Sequence, residues 1–70
     1  MTNKELLRNV YENSGVTITF IAKRLDCSRN RVYSILDGAE CSASEIVTLS
    51  DIFHLSKPQR DKIFLSENVN

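Results

Sequence analysis

The feature that most constrains this chain is a pair of short apolar helical faces between residues 17 and 38, separated by a turn. The first face occupies positions i, i+3, i+4 and i+7 and the second occupies i, i+3 and i+4, which are helical intervals. The faces consist of Ile18, Ile21, Ala22 and Leu25, and of Val32, Ile35 and Leu36. The side chains expected on the opposite, solvent side of the second helix are those of Arg29, Asn30, Tyr33 and Ser34. The spacing therefore predicts two short helices around a tight turn, with a polar face projecting outward.

Start and stop signals predict further helices on both sides of this pair. Helices are expected at about residues 3–13, 18–25, 29–37, 43–54 and 57–66. The pairs with the spacing of a capping box are Thr2 with Glu5, Ser42 with Glu45, and Ser56 with Gln59. Gly15 and Gly38 are placed to end the first and third helices, and Asp26 in the turn is expected to adopt a left-handed conformation. No strand pattern competes, so the predicted fold class is all-α and compact.

Length and composition predict one small domain covering residues 1–70. The chain is 41% hydrophobic and 26% charged, which is typical of a folded soluble protein, and about 70 residues leave no room for a second core. Its apolar runs fall far short of the roughly 18 residues of a membrane span, and the N-terminus lacks the pattern of a signal peptide. We therefore expect a cytoplasmic protein without membrane contact.

Charge is distributed unevenly, although the formal net charge is zero. Residues 1–38 contain six basic and four acidic residues, net +2, whereas residues 39–70 contain three basic and five acidic residues, net −2. The basic residues nearest the predicted turn are Lys23, Arg24, Arg29 and Arg31. A solvated helix surface would explain such a cluster by itself. Its position on a turn followed by a polar helix face instead favours nucleic-acid binding.

No motif of an enzyme or a metal centre is present. Cys27 and Cys41 are 14 positions apart and His54 is the single histidine, so the paired spacing of a zinc site is missing. We expect reduced thiols, with Cys27 turned toward the core, and His54 as a polar residue near a helix C-terminus. Because the chain also lacks a glycine-rich phosphate loop, we expect neither a metal, a cofactor nor catalytic activity.

The segment from Val16 to Gly38 resembles the Cro and repressor family of lambdoid phages, the XRE-type helix-turn-helix proteins, and the resemblance extends over nearly the whole chain. Val-Thr-Ile-Thr-Phe-Ile-Ala, from Val16 to Ala22, follows the second helix of the family. Asp26-Cys27-Ser28 follows the turn, and residues 29–38 follow the recognition helix. The resemblance implies a five-helix, lambda-repressor-like domain whose helix-turn-helix spans residues 17–38.

The resemblance also implies roles for particular residues. Arg29 and Asn30 match positions that reach base edges, Ser34 matches a further base-facing position, and Ser28 matches a cap that contacts phosphate. The chemistry agrees, since arginine pairs with guanine and asparagine with adenine in the major groove. The other predicted DNA contacts are Tyr33 at sugar or thymine methyl, and Lys23, Arg31 and Thr17 at phosphates.

This chain departs from the family pattern at several positions. Ile18 stands where the family has a phosphate-binding glutamine, and Asp26 stands where it has the turn glycine. A common ion pair between the first and third helices is replaced by Tyr11 and Leu36, an exchange that is often neutral for stability.

Two functions remain open. The first is a transcriptional regulator of Cro type, acting in a bacterial host as a homodimer on a near-palindromic double-stranded operator with half-sites about 34 Å apart. Its dimer surface would be the loop after Gly38 or the last helix around Ile63 and Phe64. The second is an antirepressor or modulator that binds a partner repressor through an apolar patch at Ile18 and Phe20.

Overall fold

The computed structural model describes residues 1–65, which form five α-helices and no strand, so the all-helical prediction is confirmed for this part of the chain. The helices are α1 (Lys4–Ser14), α2 (Ile18–Leu25), α3 (Arg29–Leu36), α4 (Ala43–Ile52) and α5 (Lys57–Phe64). The bounds of α2 are those expected. The fourth helix ends two residues earlier than expected, at Ile52. The predicted end of the last helix, at residue 66, lies outside the described residues.

Every helix begins at a side chain that accepts a hydrogen bond from a backbone N–H of the first turn. Two of the three predicted capping boxes are present, at Ser42 with Glu45 and at Ser56 with Gln59. The box predicted at Thr2 with Glu5 is wrong, because the cap of α1 is Asn3, whose Oδ1 accepts from the Leu6 N–H at 3.1 Å. Thr2 is instead buried. The N–H of its neighbour Asn3 donates a hydrogen bond to the Ile63 carbonyl at 2.6 Å.

Three helices end in the same hydrogen-bonded turn, a Schellman motif with a left-handed residue just after the helix. In α2 that residue is Asp26 (φ 57°), as predicted, and the next N–H, from Cys27, bonds to the Ala22 carbonyl at 3.0 Å. Gly38 (φ 103°) has the same position after α3. After α4 the position is taken by His54 (φ 54°), which therefore lies in a left-handed turn beyond the helix.

The core is built from at least one side chain of every helix. Its buried members are Leu7, Ile21, Ala22, Val32, Ile35, Leu36, Leu49, Ile52, Ile63 and Phe64. Cys27 packs against this cluster from the turn, as expected, and Tyr11 packs against it from α1. Ile63 and Phe64 are themselves buried in the core of a single chain, so a dimer surface around them on the last helix, which stays a prediction, would use their exposed neighbours.

The helices are arranged so that α3 keeps one face free. α2 packs against α3 and α4, α1 packs against α3 and α5, and α4 packs against α5. The buried side of α3 is therefore held by two helices and its other side faces solvent. Among the described residues, none of the helices has the length and apolar character needed to cross a membrane.

Candidate nucleic-acid interface

The outer surface of α3 is polar over its whole length. Val32, Ile35 and Leu36 turn into the core, and the i, i+3 and i+4 geometry of the helix places the remaining side chains outside. The exposed residues, here called the α3 face, are Arg29, Asn30, Tyr33 and Ser34. Tyr33 is 55% exposed although it is aromatic. The four residues that the sequence predicted as base contacts thus lie on one exposed face.

Two hydroxyl groups predicted as phosphate contacts occupy helix N-caps. Thr17 Oγ1 accepts from the Phe20 N–H at the start of α2, and Ser28 Oγ accepts from the Arg31 N–H at the start of α3, each at 3.1 Å. Both residues are exposed. A hydroxyl that accepts one hydrogen bond still has its own proton to donate. Each cap can therefore donate a hydrogen bond to an anion at the positive end of its helix.

Lys23 and Arg29 both line a surface cleft of about 550 Å³ between α2 and the start of α3. We call this the α2–α3 cleft, and it is lined by Thr19, Ala22, Lys23, Asp26, Cys27 and Arg29. Within residues 1–65 neither Lys23 nor Arg29 has a carboxylate within 4 Å. The Asp26 carboxylate is the acidic group of the cleft and reduces its positive potential without pairing with either cation.

Arg31, predicted as a phosphate contact, is engaged inside the protein. Its Nε donates to Glu45 Oε2 at 3.0 Å, and its Nη2 donates to Glu45 Oε1 at 2.9 Å and to the Glu40 carbonyl at 2.8 Å. The hydrogen bonds from Arg31 hold the pKa of the Glu45 carboxyl below its ordinary value. The same hydrogen bonds raise the pKa of Arg31. At neutral pH the two charges therefore cancel each other locally.

Arg24 is likewise paired within the domain. Its Nη2 lies 2.7 Å from Asp51 Oδ2 on α4, and its guanidinium carbon lies 5.8 Å from the centre of the Phe20 ring. The basic cluster seen in the sequence is thus divided in two. Two of its cations, Arg24 and Arg31, are held by acidic residues of α4, whereas Lys23 and Arg29 are presented to solvent.

The apolar patch predicted at Ile18 and Phe20 is smaller than expected. Ile18 is partly buried and packs against the core, so it contributes little free surface. Phe20 is 45% exposed and borders a shallow depression with Gly15, Val16 and Thr17. The exposed apolar surface therefore centres on Phe20 and the connection before α2.

Both cysteines are free thiols. Burial is the main cause that raises the pKa of Cys27 and of Cys41 above the ordinary thiol value. Both thiols are therefore mostly protonated at neutral pH, which makes them poor nucleophiles.

Sequence reasoning missed two residues of this surface. Thr19 lies four positions before Lys23 on α2 and lines the same cleft, so helical spacing was a sufficient signal. Glu45 lies 14 positions after Arg31, and its sequence signature indicates only a helix cap. Nothing in the local pattern points to its ion pair with Arg31.

Comparison of the chain with protein-family models, with curated proteins and with solved structures finds no match. The class of protein that the geometry defines is an all-helical domain in which α3 presents a polar, solvent-facing surface. That surface includes Arg29 and lies beside Lys23, and neither cation has a carboxylate within 4 Å among residues 1–65.

Proposed function

We propose that this protein is a sequence-specific, double-stranded DNA-binding regulator in which α2 and α3 act as a helix-turn-helix and α3 is the recognition helix. The single observation that carries the proposal is the α3 face, which presents Arg29 and Asn30 at the exposed start of a helix whose opposite side is buried. Arginine and asparagine are the side chains that pair in bidentate fashion with guanine and adenine in the major groove. The likeness to Cro-type repressors in the sequence supports the same interpretation.

Phosphate contacts are assigned to groups that border the α3 face. Lys23 supplies a cation at the α2–α3 cleft that has no carboxylate partner within residues 1–65. Thr17 and Ser28 supply hydroxyl groups at two helix N-termini. Such contacts position a protein on the duplex without reading its sequence. Asn30, Tyr33 and Ser34 lie further along the recognition helix, where base edges are reached.

A domain with one short recognition helix is expected to bind as a symmetric dimer on a near-palindrome, with half-sites about 34 Å apart. Of the two dimer surfaces that the sequence suggested, we favour the loop after Gly38, because the side chains of Ile63 and Phe64 are used in the core.

The first test is selection of bound duplexes from a random-sequence DNA pool by the purified protein at about 0.1 M salt, where specific and non-specific binding separate. We expect enrichment of a near-palindrome with half-sites about one helical turn apart. If nothing is enriched while circular dichroism shows a folded helical protein, the DNA-binding proposal is wrong.

Substitutions then separate base reading from phosphate binding on the enriched duplex. Arg29→Ala should lose about 1 to 3 kcal/mol of binding free energy and relax the preference at one base pair. Lys23→Ala should weaken binding to every sequence alike and flatten the dependence of log Kd on log salt by about one unit. Lys62→Ala, on the exposed side of α5, is the matched control and should change neither property. Equal losses on all sequences for Arg29→Ala would remove its assignment as a base reader.

A second function, binding of a partner repressor, is favoured by the exposed ring of Phe20 beside a shallow apolar depression. DNA-binding surfaces are polar and positively charged, so a half-exposed phenylalanine at this point would fit a protein partner better. The selection experiment discriminates between the two functions, because an antirepressor would enrich no duplex.

A further inference from the structure

The pair formed by Arg31 and Glu45 is the least exposed ion pair of the described residues. The Glu45 side chain is 17% exposed and the Arg31 side chain 36%, whereas Asp51, the partner of Arg24, is 70% exposed. A pair in this position is screened less by solvent and salt than a surface pair. It joins the recognition helix of the proposed function to the start of α4.

The guanidinium is held by a fork of hydrogen bonds and not by a single contact. Three N–H groups of Arg31 donate to both Glu45 carboxylate oxygens and to the Glu40 carbonyl. Arginine has five such donors, so the larger part of its capacity is used inside the protein. Bidentate pairing of this kind restricts the direction of the side chain as well as its distance.

Glu45 has two tasks in this arrangement. Its Oε1 accepts the Ser42 N–H at 2.8 Å, which closes the capping box of α4, and it also accepts from Arg31 Nη2. If Arg31 turned to a DNA phosphate, Glu45 would keep its negative charge at a partly buried site without the counter-ion. The new contact would replace a charge-assisted hydrogen bond by another of the same kind, so the exchange offers little gain.

We propose that Glu45 is a positioning residue that holds Arg31 against the start of α4 and withholds its charge from DNA. The proposal rests on the proposed DNA-binding function and deepens it, because it removes Arg31 from the cations that phosphates can reach and leaves Lys23 and Arg29 at the α2–α3 cleft. The pair orients the recognition helix and lowers the affinity for any phosphate backbone. Sequence reading by the α3 face then contributes a larger share of the total binding.

The test is Glu45→Gln, which removes the charge and keeps the shape. The capping box of α5 uses Gln59 in the same way, with the Ser56 N–H at 2.8 Å from Gln59 Oε1, so glutamine is compatible with this cap. We expect Glu45→Gln to bind the selected duplex about five- to tenfold more tightly at about 0.1 M salt and to steepen the salt dependence by about one unit. The double variant Arg31→Gln with Glu45→Gln should return to the slope of the natural protein.

Two further variants make the result specific. Asp61→Asn, on α5, removes the same charge from pairs with Lys57 and Arg60 and should leave the slope of log Kd against log salt unchanged. Arg31→Gln alone should also leave the slope of log Kd against log salt unchanged. If Arg31 already contacted a phosphate, this substitution would flatten the slope by about one unit, as Lys23→Ala does. This variant keeps the proposal testable if Glu45→Gln fails to fold, which circular dichroism and urea unfolding would reveal.

Each result has one meaning. A steeper slope for Glu45→Gln, cancelled in the double variant, supports the proposal. Two outcomes would show that Glu45 does not withhold the charge of Arg31, while the DNA-binding function stands. In the first, Lys23→Ala flattens the slope but Glu45→Gln does not steepen it. In the second, Arg31→Gln by itself flattens the slope. If the folded natural protein enriches no duplex, the proposed function fails and this inference fails with it.

Discussion

Asp26 shows how one residue type determines a local backbone. The Schellman turn after α2 requires a left-handed residue, and Asp26 adopts φ 57° and ψ 49° there. Left-handed geometry costs most L-residues roughly 1 to 2 kcal/mol, but aspartate and asparagine tolerate it better because their short side chains bond locally. The turn therefore forms without glycine, and it places a carboxylate beside the α2–α3 cleft.

Replacement of Asp26 by glycine should stabilise the domain. We expect Asp26→Gly to raise the free energy of unfolding by up to about 1 kcal/mol. Glycine removes the strain of the left-handed backbone, and this gain is larger than the cost of the greater conformational entropy that glycine gives to the unfolded chain. Asparagine lacks the charge but tolerates the left-handed backbone as aspartate does, so Asp26→Asn should leave the free energy of unfolding nearly unchanged. Asp26→Ala should lower the free energy of unfolding by about 1 kcal/mol. Urea unfolding measures all three. A gain for asparagine equal to that for glycine would assign the effect to charge.

At the scale of the elements, cap residues determine where each helix begins. Serine caps α3, α4 and α5 through the same contact with the backbone N–H three residues later. All three caps were predicted from the sequence, and at α4 and α5 Glu45 and Gln59 complete a capping box. At α1 the pattern of Thr2 with Glu5 was misleading, because Thr2 is buried and the cap is Asn3.

Ser28 combines a cap with a predicted phosphate contact, and substitutions can separate the two roles. Ser28→Ala should lower the free energy of unfolding by about 1 kcal/mol through loss of the cap. Ser28→Asp should retain stability, because aspartate is an equally good cap, yet weaken DNA binding by placing a negative charge at the phosphate. Ser56→Asp on α5 is the matched control, with stability and DNA binding both maintained. Undiminished DNA affinity of Ser28→Asp would place Ser28 away from the backbone of the duplex.

At the scale of the whole molecule, stability depends on a single small core. A domain of this length is expected to be stable by roughly 4 to 10 kcal/mol, so the loss of one fully buried side chain is a large fraction of the total. Leu7 is fully buried, whereas its neighbour Leu6 on the same helix is 38% exposed. The two leucines therefore differ in environment while sharing chemistry and local backbone.

The same substitution at these neighbours should have unequal effects. Leu7→Ala should lower the free energy of unfolding by about 2 to 5 kcal/mol because it leaves a cavity in the core. Leu6→Ala should lower it by less than about 1 kcal/mol. Thermal unfolding followed by circular dichroism measures both, and equal losses would contradict the assignment of Leu7 to the core.

The sequence by itself determined the features that depend on neighbours a few positions apart. Helical spacing separated the buried Val32, Ile35 and Leu36 from the exposed α3 face, and short-range chemistry located Asp26 and the serine caps, because these contacts close within one or two helical turns. Only the tertiary structure decided which cations remain free. The pairs of Arg24 with Asp51 and Arg31 with Glu45 span 27 and 14 positions. Their formation depends on how α2 packs against both α3 and α4, and no local pattern encodes that packing.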